Sequence, residues 1–408
     1  MQIFLVGGAV RDQLLGLPVT EKDWVVVGAS ADELLAQGFK AVGKDFPVFL
    51  HPHTQEEYAL ARQERKTAPG YAGFSFNTHD TVRLEEDLLR RDLTINAMAQ
   101  DDKGAIIDPY GGQQDLQARL LRHVSAAFSE DPVRILRIAR FSARYHHLGF
   151  TIAPETLDLM RAMVAAREVD HLVPERVWKE TARALHEPSP AVFFQVLRNC
   201  GALERLMPEL DALFGVPQRP EYHPEIDTGV HSLMALTQAC LLSDNTAVRF
   251  AALIHDLGKA LTPTDLLPSH HGHELAGLAP IKSLAKRLAL PKDVLELALL
   301  SAEFHTHSHR ALELTPQSLV KLFTRLDAFR RPARLASFCA CCEADARGRT
   351  GFEERPYPQA EYLRGALAAC QAINVSALIA QGLANAALGT AIHEQRIKIL
   401  GEYKRLQA

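Results

Sequence analysis

Short runs of β-branched and aromatic residues are concentrated in the first 110 residues, where they alternate with segments of helical apolar spacing. The runs that predict strands are Ile3–Val6, Trp24–Val27, Val48–Leu50 and Ile106–Ile107. From Gly112 onward the strand signals nearly vanish, and helical periodicity dominates in Asp131–Tyr145, Pro174–His186 and Ala191–Leu206. The pattern predicts an α+β protein with a small mixed-sheet head followed by an all-helical body.

Two segments rich in proline and glycine, Phe214–Pro220 and Gly351–Pro358, interrupt the helical body. A chain of 408 residues is too long for one compact core, so we expect several domains. We predict boundaries near residues 140, 225 and 330, which define four parts: 1–140, 141–225, 226–330 and 331–408. Residues 66–80 contain proline, glycine and small polar residues and predict a long loop within the head.

Composition narrows the class of protein. Hydrophobic residues make up 47% of the chain and charged residues 23%, which is typical of soluble proteins. We see no apolar run of the roughly 20 residues that cross a bilayer, and the N-terminus lacks the pattern of a signal peptide. We therefore expect a cytoplasmic protein with no membrane segment. The net charge is −4, yet nine arginines lie between residues 83 and 144 and would suit either a local positive surface or a solvated helix face.

The six cysteines do not follow a metal-binding pattern. Three of them, in Cys339-Ala340-Cys341-Cys342, lack the paired spacing of a structural zinc site. We interpret them as buried free thiols on a helix.

Two local patterns near the N-terminus suggest phosphate and metal chemistry. Gly7-Gly8 follows a strand and precedes a helix, where backbone N–H groups can approach a phosphate, although any tight turn would use the same residues. Glu21 and Asp23 are two residues apart at the entrance of a strand, so their carboxylates point to the same face. Such a pair suits Mg²⁺ shared with substrate phosphates, or is simply a pair of solvated charges.

A third pattern lies on a predicted helix. Asp131, Arg134, Arg137 and Arg140 recur every three residues and drift slowly around one helix face. A carboxylate beside guanidinium groups can pair with the edge of a cytosine or an adenine. A surface ladder of ion pairs would give the same spacing.

Together these motifs resemble the head of bacterial class II CCA-adding enzymes and of their relatives, the bacterial poly(A) polymerases. The resemblance rests on three blocks in the family's order: Gly7–Asp12 with the acidic pair, Arg90–Ala97, and Glu130–Phe141. It implies that Gly8, Arg11 and Arg91 contact the nucleotide and that Glu21 and Asp23 bind Mg²⁺. It further implies that the residues of the predicted helix read and bind the nucleotide: Asp131, Arg134, Arg137 and Arg140.

The sequence departs from the family at one metal position. The family carries Asp at both sites of the acidic pair, whereas this chain has Glu21 at the first. Glu keeps the charge but moves the carboxylate by about one C–C bond, and Mg²⁺ geometry is strict. We expect Glu21 still to bind metal. The predicted loop at 66–80 coincides with the family's flexible loop, and Gly70 and Gly73 suit a hinge.

The helical body carries a second cluster of polar residues. His231 precedes His255-Asp256-Leu257-Gly258-Lys259, and further histidines and Asp327 follow. Such side chains on several helices can converge on a divalent metal that activates water against phosphate esters. This pattern resembles the HD phosphohydrolase superfamily, which implies His231, His255, Asp256 and Asp327 as metal ligands. His305, His307 and His309 alternate along the chain and are either further ligands or exposed.

The HD motif extends the resemblance to nearly the whole chain, because one branch of the CCA-adding enzymes appends such a domain. The resemblance implies the addition of CCA to tRNA from CTP and ATP, with phosphatase, 2′-nucleotidase and 2′,3′-cyclic phosphodiesterase activities in the HD domain. It also implies a monomer that can dimerise. Nickel is often associated with the phosphatase, and the sequence does not choose it over Mg²⁺ or Mn²⁺. The alternatives are a poly(A) polymerase, or an HD phosphohydrolase whose transferase head is impaired.

Overall fold

A computed structural model describes residues 1–42, 48–66, 74–77 and 81–407 of the chain. The chain divides into two compact units, Met1–Arg205 and Leu206–Ala408. Each unit has a core of its own.

The first unit contains all the strands of the described residues. The strands are β1 (Gln2–Val6), β2 (Asp23–Val27), β3 (Lys40–Val42), β4 (Val48–Leu50), β5 (Glu57–Leu60), β6 (Gln63–Lys66), β7 (Phe74–Asn77), β8 (Ala99–Gln100), β9 (Ile106–Ile107), β10 (Leu120–Leu121) and β11 (Thr151–Ile152). Seven of them form one sheet in the order β3-β4-β5-β2-β1-β8-β9. The sheet is mixed, because β2 pairs with β5 in parallel and with β1 in antiparallel orientation.

Helices cover the sheet and continue the first unit. They are α1 (Gly8–Leu14), α2 (Ala31–Ala36), α3 (Leu84–Leu89), α4 (Gly112–Ala118), α5 (Val133–Tyr145), α6 (Pro154–Ala165), α7 (Pro174–Ala184), α8 (Pro190–Asn199) and α9 (Ala202–Leu206), the last of which reaches one residue into the second unit. Proline opens α6, α7 and α8, where its missing N–H group costs no hydrogen bond. Helix α5 packs against both α7 and α8.

The sheet buries apolar side chains on both faces. Val25 belongs to one core cluster, with Phe4, Val6 and Leu88, whereas Val26 belongs to another that includes Leu34. Successive residues of a strand point to opposite faces. Burial on both sides explains why β2 is a continuous apolar run, and it holds the ends of β1 and β2 in a fixed position.

Helices are the regular elements of the second unit in its described residues. Its α-helices are α10 (Pro208–Asp211), α11 (Thr228–Leu242), α12 (Thr246–Ile254), α13 (His273–Ala276), α14 (Leu278–Leu288), α15 (Lys292–His309), α16 (Pro316–Arg325), α17 (Pro332–Arg347), α18 (Pro358–Gln371), α19 (Val375–Ala380) and α20 (Asn385–Gln407). Asp227 and Asn245 cap α11 and α12, because their side chains accept hydrogen bonds from backbone N–H groups of the first turn. Helix α12 packs against α15, and α11 packs against α17.

The predicted fold class is confirmed: a mixed-sheet head precedes a largely helical body. The division into four parts stays a prediction. The predicted loop at 66–80 is wrong in part, because Phe74–Asn77 forms a strand that pairs with β6. Residues 67–73 and 78–80, which include Gly70 and Gly73, lie outside the described residues.

The thiols of Cys339, Cys341 and Cys342 are free and buried on α17, as expected.

One segment, Pro358–Ala380, is long and apolar enough by composition to cross a bilayer, contrary to the sequence prediction. Buried core helices of soluble proteins have the same length and apolar composition, so this segment is weak evidence for a membrane span.

Candidate active sites

The glycine turn after β1 is the centre of the first candidate site. Gly7 has a φ angle of +70°, a backbone conformation that favours glycine. A Cβ atom added to Gly7 would lie only 2.8 Å from Nη1 of Arg91, so a side chain at this position would displace the guanidinium group. Gly8 begins α1, and Arg11 lies on the same helix, in its last turn. The Gly7-Gly8 turn therefore lies close to Arg91 through Gly7 and to Arg11 through Gly8.

Arg11 is buried and held by internal contacts. Its Nη1 atom donates a hydrogen bond to Oδ1 of Asn96 at 2.5 Å, and its Nε atom donates to Oδ1 of Asp12 at 2.9 Å. The guanidinium group also lies 5.3 Å and 5.2 Å from the ring centroids of Phe141 and Tyr145. Arg11 thus connects the glycine turn to the Arg90–Ala97 motif and to α5.

The acidic pair lies beside the same turn. The strand register places Asp23 opposite Val6, the residue before Gly7, and opposite Glu57 on β5. Asp23 is open to solvent at the start of its strand, but the surrounding protein partly desolvates its carboxyl group and raises its pKa. Arg91 opposes this rise in the pKa of Asp23, and Glu21 adds to it. A carboxyl group whose pKa is raised by partial burial and by a neighbouring carboxylate belongs to a site that a divalent cation would suit.

The N-terminal part of the arginine helix contacts neighbouring motifs. Asp131 accepts a hydrogen bond from Nη2 of Arg176 at 2.9 Å. Arg134 donates to the backbone carbonyl oxygens of Ala127 at 2.8 Å and Arg90 at 2.6 Å. Arg176 is a partner that sequence reasoning missed. No local signal pointed to it, because 45 residues separate it from Asp131.

The two later arginines of α5 form ion pairs with buried acids. Arg137 Nε donates to Oδ2 of Asp92 at 2.7 Å. Burial alone would raise the pKa of Asp92, but the charge of Arg137 outweighs it and holds that pKa below its ordinary range. Arg140 is buried between Glu180, at 2.7 Å, and Glu187, at 3.3 Å. The structure places Arg140 in a buried ion-pair network rather than on an open face of the helix.

The second candidate site lies inside the second unit, where six side chains from five parts of the chain converge. We call this set the histidine cluster: His231, His255, Asp256, His273, His305 and Asp345. They form overlapping groups in which the potential ligand atoms lie within 4.8 Å of one another. The second unit thus gathers four imidazoles around two carboxylates.

Backbone carbonyl oxygens orient all four imidazole rings. The Nδ1 atoms lie within hydrogen-bonding distance of these oxygens in four pairs: His231 with Gly348 at 2.9 Å, His255 with Ala252 at 2.8 Å, His273 with His270 at 2.6 Å, and His305 with Ala302 at 3.0 Å. A carbonyl oxygen only accepts, so each Nδ1 atom carries the proton. In the neutral form of each ring the Nε2 lone pair is then available, which is the arrangement found in histidines that bind metals.

The Nε2 atoms face the two carboxylates. His231 Nε2 lies 3.1 Å from Oδ1 of Asp345, and His255 Nε2 lies 3.2 Å from Oδ2 of Asp256. His273 Nε2 lies 3.3 Å from Oδ1 of Asp256. Among the described residues, His255 Nε2 and Asp256 Oδ1 are buried without a hydrogen bond of good geometry. Buried polar atoms left in this way fit a bound divalent cation.

Burial and charge shift the histidine pKa values in opposite directions. Burial lowers the pKa of His255, but the carboxylates of Asp256 and Asp345 outweigh it and raise that pKa to about 10. Burial dominates at His305 and lowers its pKa to about 3. His305 is therefore neutral, which is the form that binds metals.

Asp327, which the sequence predicts as the fourth ligand, is not in the histidine cluster. It lies in the turn between α16 and α17, where its carboxylate accepts hydrogen bonds from Arg330 at 2.6 Å and 3.0 Å. Asp345 occupies the corresponding place beside His231. The local pattern could have indicated it, because Asp345 follows the buried Cys341 and Cys342 at helical spacing and so lies on the apolar face of α17.

The structure also separates the three alternating histidines of α15. His305 is in the cluster, and His309 Nε2 donates to Oδ2 of Asp345 at 2.6 Å, whereas His307 is exposed. The spacing of four residues places His305 and His309 on one helix face. Lys259 is buried, and its Nζ atom lies 2.6 Å from Oδ2 of Asp256. Lys259 is therefore the cation closest to this carboxylate among the described contacts.

Three family models match separate parts of the chain. A Poly A polymerase head domain matches residues 3–122, and a probable RNA and SrmB- binding site of polymerase A matches residues 149–214. An HD domain matches residues 228–331. Asp345 lies beyond the end of this last match.

Full-length relatives decide the family. The chain is 64% identical over 403 residues to a multifunctional CCA protein of Teredinibacter turnerae, with 98% of each chain covered. It is 62% identical over 404 residues to a multifunctional CCA protein of Thioalkalivibrio sulfidiphilus, with 99% of each covered. This chain belongs to the multifunctional CCA protein family. Like the other members of this family, it is an enzyme.

Solved structures show the same fold at lower identity. A CCA-adding enzyme in its apo form II matches with a TM-score of 0.67 and 20% identity, covering 98% of this chain and 88% of that chain. The CCA-adding enzyme of Bacillus stearothermophilus in complex with CTP matches with a TM-score of 0.63 and 23% identity, covering 98% and 89%. The Thermotoga maritima CCA-adding enzyme complexed with tRNA matches with a TM-score of 0.62 and 19% identity, covering all of this chain and 92% of that chain.

Proposed function

We propose that this chain adds and repairs the 3′-terminal CCA of tRNA, using CTP and ATP and releasing pyrophosphate. The observation that carries the proposal is the proximity of Asp23, Arg91 and the Gly7-Gly8 turn at the ends of β1 and β2. Nucleotidyl transfer needs a cation and backbone N–H groups near the triphosphate and a carboxylate pair near the attacking hydroxyl. The names of the relatives, and the CTP, ATP and tRNA complexes of proteins with this fold, support the same substrates. For a chain that acts on tRNA, we infer a cytoplasmic location.

Each residue of the head has a role in this proposal. Glu21 and Asp23 would hold Mg²⁺, which supplies activation of the 3′-hydroxyl group and neutralises charge on the leaving pyrophosphate. Arg91 and the N–H group of Gly8 bind the triphosphate. Arg11 stabilises the glycine turn through its buried hydrogen bonds. Asp131 and Arg134 bind the edge of the incoming base once the nucleotide replaces their present partners.

The later arginines of α5 act differently in the proposal. Arg137 lies at the border of the nucleotide site and reaches the nucleotide while it keeps Asp92 charged. Arg140 stays paired with Glu180 and Glu187, so it sets the position of α5 more than it binds ligand. Replacement of Arg140 should weaken the binding of CTP and of ATP to the same extent.

Incubation with tRNA that lacks its CCA end separates the three candidate functions. With CTP, ATP and Mg²⁺, we expect incorporation to stop after C-C-A. An extended A tail would identify a poly(A) polymerase, and no incorporation would identify an impaired head.

Glu21→Ala should slow incorporation by about 100-fold, and Glu21→Asp should retain it, because a carboxylate at this position is needed for the metal. Full activity of Glu21→Ala would remove Glu21 from the metal site.

We also propose that the HD domain is a metal-dependent phosphohydrolase that acts on 2′,3′-cyclic phosphates, on 2′-nucleotides and on phosphate monoesters. The support is the histidine cluster, with four Nε2 atoms aimed at two buried carboxylates. His231, His255, Asp256 and Asp345 would hold a divalent ion, which supplies a bound water of lowered pKa as nucleophile. His273 and His305 add imidazole ligands next to Asp256, and an imidazole-rich set favours Ni²⁺ over Mg²⁺. Lys259 offsets the charge of Asp256 and faces the phosphate.

Metal content and hydrolysis test the second activity together. Protein freed of metal and then dialysed against Ni²⁺ or Mg²⁺ is assayed with 2′,3′-cyclic AMP, 2′-AMP and p-nitrophenyl phosphate. We expect bound Ni²⁺ by elemental analysis and hydrolysis that requires it. Stoichiometric metal without hydrolysis of any of the three ester classes would contradict the proposed hydrolase.

A further inference from the structure

Two cavities adjoin the histidine cluster, and Arg349 lines both. The first, which we call the aromatic cavity, has a volume of about 520 Å³ and is lined by His309, Ala346, Arg349, Phe352, Arg355, Pro356, Tyr357, Pro358 and Gln359. The second, which we call the histidine-side cavity, has a volume of about 410 Å³ and includes Arg219, Tyr222, Lys259, His270, His273 and Arg349 in its lining. Both volumes lie in the range of small-molecule sites.

The aromatic cavity reaches the cluster at its polar end. His309 Nε2 lies 2.6 Å from Oδ2 of Asp345, and Arg349 Nη2 lies 3.4 Å from Oδ1 of the same carboxylate. The Nε atom of Arg349 is buried and makes no hydrogen bond within the described part of the chain. A guanidinium group with an unused donor next to a metal-type cluster is suited to a phosphate group.

The other end of the aromatic cavity suits a flat heterocycle. Phe352, Tyr357 and two prolines form its walls, and the guanidinium group of Arg355 lies 5.1 Å from the centroid of the Phe352 ring. The Nε2 atom of Gln359 donates to the carbonyl oxygen of His309 at 3.2 Å, while its Oε1 atom is buried without a hydrogen bond among the described residues. Aromatic and arginine planes stack on nucleobases, and a free amide oxygen can accept a hydrogen bond from a base edge.

We propose that the aromatic cavity binds the nucleobase of the nucleotide whose phosphate is hydrolysed at the histidine cluster. The inference rests on the proposed hydrolase activity and adds its substrate subsite: Phe352 and Arg355 stack on the base, and Arg349 contacts the phosphate. The histidine-side cavity is a poorer place for the base, because cationic and imidazole side chains dominate its lining. Its aromatic residue, Tyr222, is largely exposed.

Steady-state kinetics with two substrates test the subsite. One substrate is 2′,3′-cyclic AMP, and the other is the 2′,3′-cyclic phosphate of methyl β-D-ribofuranoside, which lacks a base. Phe352→Ala should raise KM for cyclic AMP by roughly tenfold, which is the loss expected for one stacked base, and leave KM for the base-free substrate unchanged. Equal effects on the two substrates, or no effect on either, would overturn the proposal.

Tyr222→Ala is the matched control, because it removes an aromatic ring from the other cavity while keeping the Tyr222 carbonyl oxygen that Arg349 Nη1 contacts. It should not change the ratio of the two KM values. A selective rise in KM for cyclic AMP in Tyr222→Ala instead of Phe352→Ala would place the base in the histidine-side cavity. Thermal melting of both variants checks that they fold.

Photo-crosslinking locates the base without hydrolysis. We expect 8-azidoadenosine 2′-monophosphate to label the segment 346–359 of the full chain, and Phe352→Ala to lose this label. Labelling confined to other segments would refute the subsite. If the native protein hydrolyses no substrate but residues 346–359 are labelled, the hydrolase proposal fails and the base site stands. If hydrolysis is normal and the label is elsewhere, the base site fails alone.

Discussion

His231 Nε2 lies 3.1 Å from Oδ1 of Asp345, although 114 residues separate the two along the chain. The contact joins α11 to α17, and it completes a cluster whose other members follow the local His255-Asp256 motif. Asp327 lies outside this cluster and forms an ion pair with Arg330 just before α17.

Replacement of Asp345 should therefore abolish metal binding at the cluster. In Asp345→Ala, we expect loss of bound Ni²⁺ by elemental analysis and a decrease of at least 100-fold in hydrolysis of 2′,3′-cyclic AMP, because one carboxylate ligand and the partner of His231 are gone. Incorporation of CTP into tRNA should be retained. Asp327→Ala is the matched control and should keep its metal. Loss of metal in Asp327→Ala alone would restore the ligand set predicted from the sequence.

The turn before α1 should not tolerate a side chain at Gly7. Gly7→Ala places a Cβ atom 2.8 Å from Arg91 Nη1 in addition to the backbone strain at positive φ. Gly16→Ala has the same kind of strain, with a φ angle of +68°, but its Cβ meets nothing within 4 Å. Both variants should lose about 1–2 kcal/mol of stability, measured by urea unfolding. Only Gly7→Ala should lose most CTP incorporation, and equal activity of the two variants would show that the turn and Arg91 do not act together.

The ion pair between Asp92 and Arg137 should make stability depend on pH in the acid range. The pKa of Asp92 is lower in the folded protein than its ordinary value of 3.8, so its contribution is complete above that value and is lost as the pH falls through the folded pKa. Asp92→Asn should reduce the free energy of unfolding by about 2 kcal/mol at pH 7, and the difference from the native chain should shrink below pH 3.8. Asp158→Asn, which removes an exposed pair with Arg161, should have no measurable effect at either pH. A difference for Asp92→Asn that grew as the pH fell would reverse the assigned sign.

The thiols of α17 should be unreactive in the native protein. Burial raises the pKa values of Cys339 and Cys341 to about 12, and the partly exposed Cys240 has a pKa raised to about 11. At pH 8 we expect at most one thiol per chain to react rapidly with 5,5′-dithiobis(2-nitrobenzoic acid). After unfolding in guanidinium, all six thiols should react. Three rapid equivalents in the native state would show that α17 does not bury its cysteines.

The sequence by itself determined the features that depend on neighbouring residues. The apolar run of β2, the glycine pair after β1 and the helical spacing of residues 133–145 each specify a local conformation, because side-chain direction repeats with a fixed period within an element. Val25 and Val26 are successive apolar residues of β2 and point to opposite faces, so both faces of the sheet are buried there. The adjacent His255 and Asp256 likewise form a local motif that predicts metal ligands.

Only the tertiary structure decided which distant side chains meet. Several acidic residues follow the His-Asp motif, and the packing of α17 against α11 and α15, rather than sequence distance, selects Asp345 over Asp327. Helix periodicity shows which residues share a face but not which helix that face will meet. The same limit hid the pairing of Arg140, a predicted nucleotide ligand, with Glu180 and Glu187 in a buried ion-pair network.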